Sequence, residues 1–233
     1  MLFRLIATMC MVFAALPAHA AERNFLVGSF EELIVEGDIQ VMLTTGKAPS
    51  AKASGDQRRL SSLKIERQGR VVRIRVTGLQ ASRAQGEPIK VSLTGRDVRK
   101  LLMAGNGKIT VNDISVPDFR LEIRGSGEID VASVKNERLV ALVVGNGKLT
   151  LGSGTVTSGE VVIDGAPTIA AKGVITGKLN LQQNGPANSQ FTVKRSADIT
   201  NSGAGSITID GEATCFIRQA GGATIRCAGK IGS

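Results

Sequence analysis

The chain has 233 residues, a formal net charge of +9, no Trp, no Tyr and a single histidine. That histidine, His19, falls in a stretch that reads as a leader, so the rest of the chain has no imidazole for Ser-His-Asp or Cys-His catalysis. Cys215 and Cys227 are the cysteines beyond the leader, too few without histidine for a structural zinc site, and no catalytic, metal or cofactor residue is assigned.

The leader comes first in chain order. Arg4 supplies a short positive region, Leu5 to Leu16 is apolar, and Ala18-His19-Ala20 has the small side chains of a cleavage site. The apolar run is shorter than the roughly 18 residues that span a bilayer. Cys10 lies inside that run rather than at its end, which argues against lipid attachment. The expectation is a signal peptide over 1–20, cut after Ala20, then one domain over 21–233. Such a chain is exported, periplasmic or at the cell surface or secreted, with no transmembrane segment after cleavage. Disulfides persist in that compartment.

Residues 21–100 read as less regular strands. Leu33-Ile34-Val35 passes through Glu36-Gly37-Asp38 into the alternating Ile39-Gln40-Val41-Met42-Leu43. Leu33, Val35, Gly37, Ile39 and Val41 align with Leu121, Ile123, Gly125, Ile129 and Val131 if the turn is two residues shorter. A turn follows over Gly46 to Ser50, and Asp56 can cap one helical turn over Gln57 to Leu60. Leu63 to Arg67 and Val71 to Val76 flank Gln68-Gly69 as a hairpin. Thr77 to Pro88 reads as a surface loop, and Ile89-Lys90-Val91-Ser92-Leu93 resumes the alternation.

From Leu101 the chain repeats. Gly105-Asn106-Gly107-Lys108-Ile109-Thr110-Val111 returns as Gly125-Ser126-Gly127-Glu128-Ile129-Asp130-Val131 and again as Gly145-Asn146-Gly147-Lys148-Leu149-Thr150-Leu151. Weaker copies start at Gly165, Gly185, Gly203 and Gly221, which sets a period of 20 and then 18 residues. A near-fixed period of that size is the mark of a solenoid. Apolar residues recur four and two before the first Gly and four and six after it, so one face of each strand is apolar. A further apolar position nine after it (Ile114, Val134, Val174) predicts a third side. The Gly-x-Gly pair continues neither as GxxxxGK[ST] nor as GxGxxG, so it marks a corner of the coil rather than a phosphate loop. The architecture predicted is all-β: a parallel β-helix with coils of 18–20 residues. Pro186 to Gln190 interrupts the pattern, and a bulge or loop is expected there.

The opening Phe30-Glu31-Glu32-Leu33-Ile34-Val35-Glu36-Gly37-Asp38-Ile39-Gln40-Val41, the Lys-Ile and Arg-Ile-Arg-Val strands, and the Gly-x-Gly-x-Ile-x-Val run are similar to an exported bacterial family, the auto-transporter adhesin head domain called GIN. The resemblance covers most of the chain beyond residue 20. It implies a right-handed, single-stranded β-helix and carries no catalytic motif with it.

Three constellations remain. Lys108, Glu128 and Lys148 share one offset and form an alternating charge ladder, with Asn106, Ser126 and Asn146 beside it. Gln183, Asn201 and Gln219 replace apolar residues two before the Gly, and are expected to pair along the stacking axis if they point inward. Acids such as Glu122, Glu128, Asp130, Asp164 and Asp210 are scattered and form no column, against a polysaccharide-active enzyme. Cys215 and Cys227, six before and six after Gly221, share the inward parity: they are either small core residues or a disulfide, and export favours the bridge.

Charge is concentrated. Residues 52–100 hold 13 Lys/Arg against 4 Asp/Glu, while 21–51 carry −3 and 101–233 carry +2. Strand parity puts Arg73 and Arg75 on one face, Lys64 beside Glu66, and Lys90 opposite Ile89 and Val91. If these strands are neighbours, Lys64, Arg73, Arg75 and Lys90 share a solvent face, with Glu66 pairing to Arg73. That face is either a solvated basic surface or a dock for anionic envelope polymers or lipid headgroups. The competing reading is a structural envelope protein that meets a protein partner; nucleic acid is not expected.

Overall fold

Strand alternation and glycine corners together produce the coil. The computed structural model describes residues 21–78 and 88–232. The predicted signal peptide over 1–20, and all of the Thr77–Pro88 loop except its ends, lie outside the described residues. In chain order the elements are β1 (Ala21–Phe25), β2 (Glu32–Glu36), β3 (Ile39–Thr44), β4 (Ser50–Gly55), α1 (Gln57–Ser62), β5 (Leu63–Gln68), β6 (Val71–Val76), β7 (Ile89–Thr94), β8 (Lys100–Gly105), β9 (Lys108–Ser115) and β10 (Asp118–Gly125). They continue as β11 (Glu128–Gly145), β12 (Lys148–Gly165), β13 (Thr168–Asn184), β14 (Ala187–Asn201), β15 (Gly205–Asp210), β16 (Thr214–Gln219), β17 (Thr224–Cys227) and β18 (Lys230–Ile231). The chain is a β-solenoid of about seven turns.

Each full coil contributes to three walls. The first runs through β8, β10 and the ends of β11, β12 and β13, pairing Leu121 with Leu101 and with Ala141. The second pairs Ile129 with Ile109 and Leu149. The third stacks Val134 on Ile114, and Ile114, Val134 and Val174 are buried as the ninth-position pattern requires. A further inward column escaped the periodicity: Phe119, Leu139, Gly159, Leu179 and Ala197 are in register on successive rungs. Its members differ too much in size to be read as a repeat.

The two glycines of the corner act for different reasons. Gly145 has φ +109°, a backbone that L side chains rarely adopt, whereas a methyl on Gly147 would fall 2.6 Å from the Gly127 carbonyl oxygen. The first turns the chain and also admits the neighbouring rung, since a methyl on it would fall 2.5 Å from the Gly125 carbonyl oxygen; the second serves close approach alone.

The N-terminal rungs are out of sequence order. β2 pairs in parallel with β8 on one side and β6 on the other, and β3 likewise lies between β9 and β7. The chain therefore enters one rung inside its own end and later adds β6 and β7 beneath itself. β4 and β5 then cover that edge antiparallel to β7 and β6, and β1 pairs with β4. Antiparallel end strands and a short helix are a way to keep an open parallel edge from pairing with another chain. Asp56 caps α1 as expected, accepting from the Arg58 and Arg59 backbone N–H groups at 2.9 and 3.2 Å.

Two expectations are corrected. Leu33 pairs with Leu101, Val41 with Ile109 and Leu43 with Val111, so the first turn is not shorter than the later ones. Gly37 stacks on Gly105, leaving Ile39 opposite Gly107; an isoleucine where later coils have glycine misled the alignment. The second correction is at Pro186 to Gln190. Pro186 sits in the corner, strand β14 runs on unbroken from Ala187, and Ser189 and Phe191 pair with Ile169 and Ala171 in unbroken register. The shortening falls afterwards, between Ala171/Ile175 and Thr176/Lys178, on the third wall. The pattern looked broken because the inward position is taken by a buried serine.

Candidate binding surface

The acids upstream of the basic segment meet it in space. Arg70 and Arg73 pair with Glu31 and Glu36. Arg99 approaches Glu31 at 3.9 Å, Lys100 reaches Glu32 at 3.3 Å, and Arg59 lies 3.6 Å from Asp38. Lys52 pairs with Glu22 at 2.7 Å. All five acids of residues 21–51 are thus engaged by residues 52–100. Rung adjacency brings Glu31, Glu32 and Glu36 to their partners, since β2 is sandwiched between β6 and β8, while Glu22 meets Lys52 through the antiparallel β1–β4 pairing and Asp38 meets Arg59 from α1.

The four predicted site residues divide between two walls. Lys64 stands opposite Arg75, and Glu66 opposite Arg73, on the β5–β6 hairpin at the N-terminal edge of the first wall. Lys90 is on β7, between Gln40 and Ser54, on the second wall. The hairpin partner of Glu66 is Arg75 at 3.1 Å rather than Arg73, because Glu36 on the other side of β6 holds Arg73. These pairs are half exposed, and exposed ion pairs contribute only about 0–1 kcal/mol each. An anion that offers two oxygens to a guanidinium can compete with them.

A groove that sequence reasoning missed lies along the same wall. Glu32, Arg99, Lys100, Asp118, Phe119, Arg120, Arg138 and Val140 line it. Lys100 and Arg120 are direct neighbours on adjacent rungs. Like charges in that position are destabilising. Arg120 makes no ion pair among the described residues. The signal was present as Lys100 and Arg120 twenty residues apart, but it becomes visible only once the repeat is carried back into the basic segment.

The other constellations resolve structurally. Lys108 and Glu128 pair at 3.1 Å in the predicted ladder. The amides do not pair with one another. Gln183 donates to the Ala187 carbonyl at 3.1 Å, Asn201 to Gly203 at 3.0 Å, and Gln219 to Gly221 and Ala223 at 2.9 and 2.7 Å. Each amide satisfies backbone carbonyls at or just after the corner that follows it. Cys215 and Cys227 form a disulfide, joining the last two inward positions with Cα atoms 6.5 Å apart.

Residues 29–213 match the family model described as "Putative auto-transporter adhesin, head GIN domain". The chain belongs to this family. No curated protein matches the GIN chain. Its fold is similar to that of a "putative adhesin" from Bacteroides fragilis, with a TM-score of 0.81 and 18% identity, covering 90% of this chain and 97% of that one. A second "putative adhesin", from Parabacteroides distasonis, has a TM-score of 0.71 at 18% identity, covering 90% and 97%. A "putative lipid binding protein" from the same species has a TM-score of 0.66 at 15% identity over the same shares. At these identities the likeness establishes the GIN fold. Among the described residues no helix is long and apolar enough to cross a membrane.

Proposed function

We propose that this chain is an exported, non-catalytic binding module of the adhesin class. It docks phosphate- or carboxylate-bearing envelope material, polymer or lipid headgroup, through its N-terminal rungs. One observation carries the reading: the basic segment folds as one end of the solenoid, so positive charge collects on the first rungs while residues 101–233 carry only +2. The family's adhesin naming and the "putative lipid binding protein" neighbour support a binding role over a catalytic one.

The test is retention of purified protein on polyphosphate beads, on phosphatidylglycerol vesicles and on phosphatidylcholine vesicles across a salt series. Binding to either anionic probe should weaken steeply with ionic strength, as exposed charge contacts do. Changing Lys64, Arg73 and Arg75 together to Gln should reduce it, and Lys90→Gln alone asks whether the second wall takes part. Equal retention of the folded triple variant would remove the hairpin face from recognition. Beads against vesicles separates a polymer from a lipid source.

A second reading is a structural envelope protein acting through protein contacts. Half-buried and exposed apolar residues on the outside of the first wall, Val140, Leu142 and Val144, favour it. A protein interface should lose less affinity with salt.

A further inference from the structure

The outer face of the first wall has a symmetry of its own. On β11 the run Leu139-Val140-Ala141-Leu142-Val143-Val144 is apolar on both faces. Leu139, Ala141 and Val143 are buried in the core, while Val140 and Leu142 are half-buried and Val144 is 38% exposed on the outside. Near-continuous apolar runs belong to strands covered on both faces. Here only the inner face is covered.

The flanking rungs carry opposite charges. Arg120 and Arg124 on β10 are in register with Val140 and Val144, and those valines are in register with Glu160 and Asp164 on β12. A two-fold axis laid along β11, parallel to the strand, brings β10 of one copy over β12 of another. Arg120 then faces Glu160 of the second copy and Arg124 faces its Asp164. Val140, Leu142 and Val144 meet their own counterparts on the axis, and Val162, in register with Leu142, comes over Glu122. Neither Arg120 nor Asp164 makes an ion pair among the described residues of a single chain. Both acquire one in this arrangement.

We infer that the outer face of the first wall is a homodimer interface, closed by a two-fold axis along β11 with Arg120–Glu160 and Arg124–Asp164 pairs across it. A two-fold interface must be self-complementary, and this face is so in both shape class and charge. The strands of the two sheets stay aligned, an ordinary packing for two β-faces. Five rungs of eight residues give a footprint on the order of 600 Å² per copy, below the roughly 800 Å² of a standard interface. The dimer is therefore a concentration-dependent one. The interface rests on the second reading, with a second copy of this chain as the protein partner on the Val140, Leu142 and Val144 face, and it stands apart from anion docking, which uses the hairpin at the solenoid end.

The experiment is sedimentation velocity of purified protein over a concentration series reaching hundreds of micromolar, with far-UV CD and urea melts as folding controls. The wild-type chain should shift from monomer to dimer. Leu142→Asp should abolish the shift. Arg120→Glu should weaken association by about tenfold or more, since two symmetric contacts become repulsive, and Arg120→Glu combined with Glu160→Arg should restore it to within about threefold. As an independent readout, Val144→Cys should cross-link between copies with a short bismaleimide, and Thr208→Cys on the second wall should not. A chain that stays monomeric throughout, a dimer indifferent to Leu142→Asp, or a double charge reversal no better than the single one would each overturn the interface.

Discussion

The Ser189 hydroxyl donates to Gln183 Oε1 at 2.8 Å, and both side chains are completely buried. Gln183 in turn donates to the Ala187 carbonyl, so the pair ties a corner to the strand that leaves it. Removing the serine hydroxyl leaves a buried amide oxygen without a donor, which costs about 1–3 kcal/mol. Ser189→Ala should lower the urea midpoint accordingly. Gln183→Leu with Ser189→Ile, restoring the apolar pair seen as Ile163 and Ile169 one coil earlier, should recover most of the loss. Equal stability of Ser189→Ala and wild type would mean the pair contributes nothing.

Glycines on this fold should respond to alanine with opposite signs. A methyl on Gly145 adds φ strain at +109° to a 2.5 Å approach to the Gly125 carbonyl oxygen. Gly145→Ala should destabilise by more than about 1 kcal/mol, the usual scale for Ala at positive φ. Gly159 lies in the core column between Leu139 and Leu179, and a methyl there meets Leu179 and Thr176 at 3.4 Å, ordinary contact. Gly159→Ala should stabilise by about 0.4–1 kcal/mol. Thermal melts of the two variants measured side by side decide both signs.

The Cys215–Cys227 bridge closes a loop of sequence separation 12 at the end of the solenoid. Loops of that size gain about 3 kcal/mol in the chain-entropy model. Reduction should lower the melting temperature and raise amide exchange in β16 to β18 before it affects β8 to β12, because repeat arrays fray from their ends. Alkylation of unreduced protein that labels both cysteines would show that the bridge does not form in the isolated protein.

Arg59 is 6% exposed, packed under α1 with its guanidinium reaching the Asp38 backbone carbonyl at 3.3 Å. Its stem covers apolar surface that a shorter side chain leaves open. Arg59→Ala should cost about 2–4 kcal/mol, near the large-to-small core range. Arg58→Ala, on the exposed side of the same helix, should cost under about 0.5 kcal/mol. Equal effects would place Arg59 outside the core that closes the N-terminal end.

Period, parity and corner glycines were legible without coordinates. They arise from local physics: a strand alternates its faces every second residue, and a stacked coil must turn at the same place each time. That suffices to place Ile109, Val131, Leu149 and Ile163 inside the coil, and all four are buried. Parity says in or out, but it does not say which wall a strand joins or which rung lies beside it. Only folding puts β2 between β6 and β8, and so hands Arg73 to Glu36, 37 residues away, instead of to Glu66 across the hairpin. The same non-local stacking separates Lys90 from Arg73 and Arg75, lets Ser189 occupy an apolar position beside Gln183, and aligns Arg120, Val140 and Glu160 on one outer column. Contacts between residues 20 or more apart depend on rung order, and the order at the N-terminal end is set by covering an open sheet edge, a requirement that no single coil of the sequence expresses.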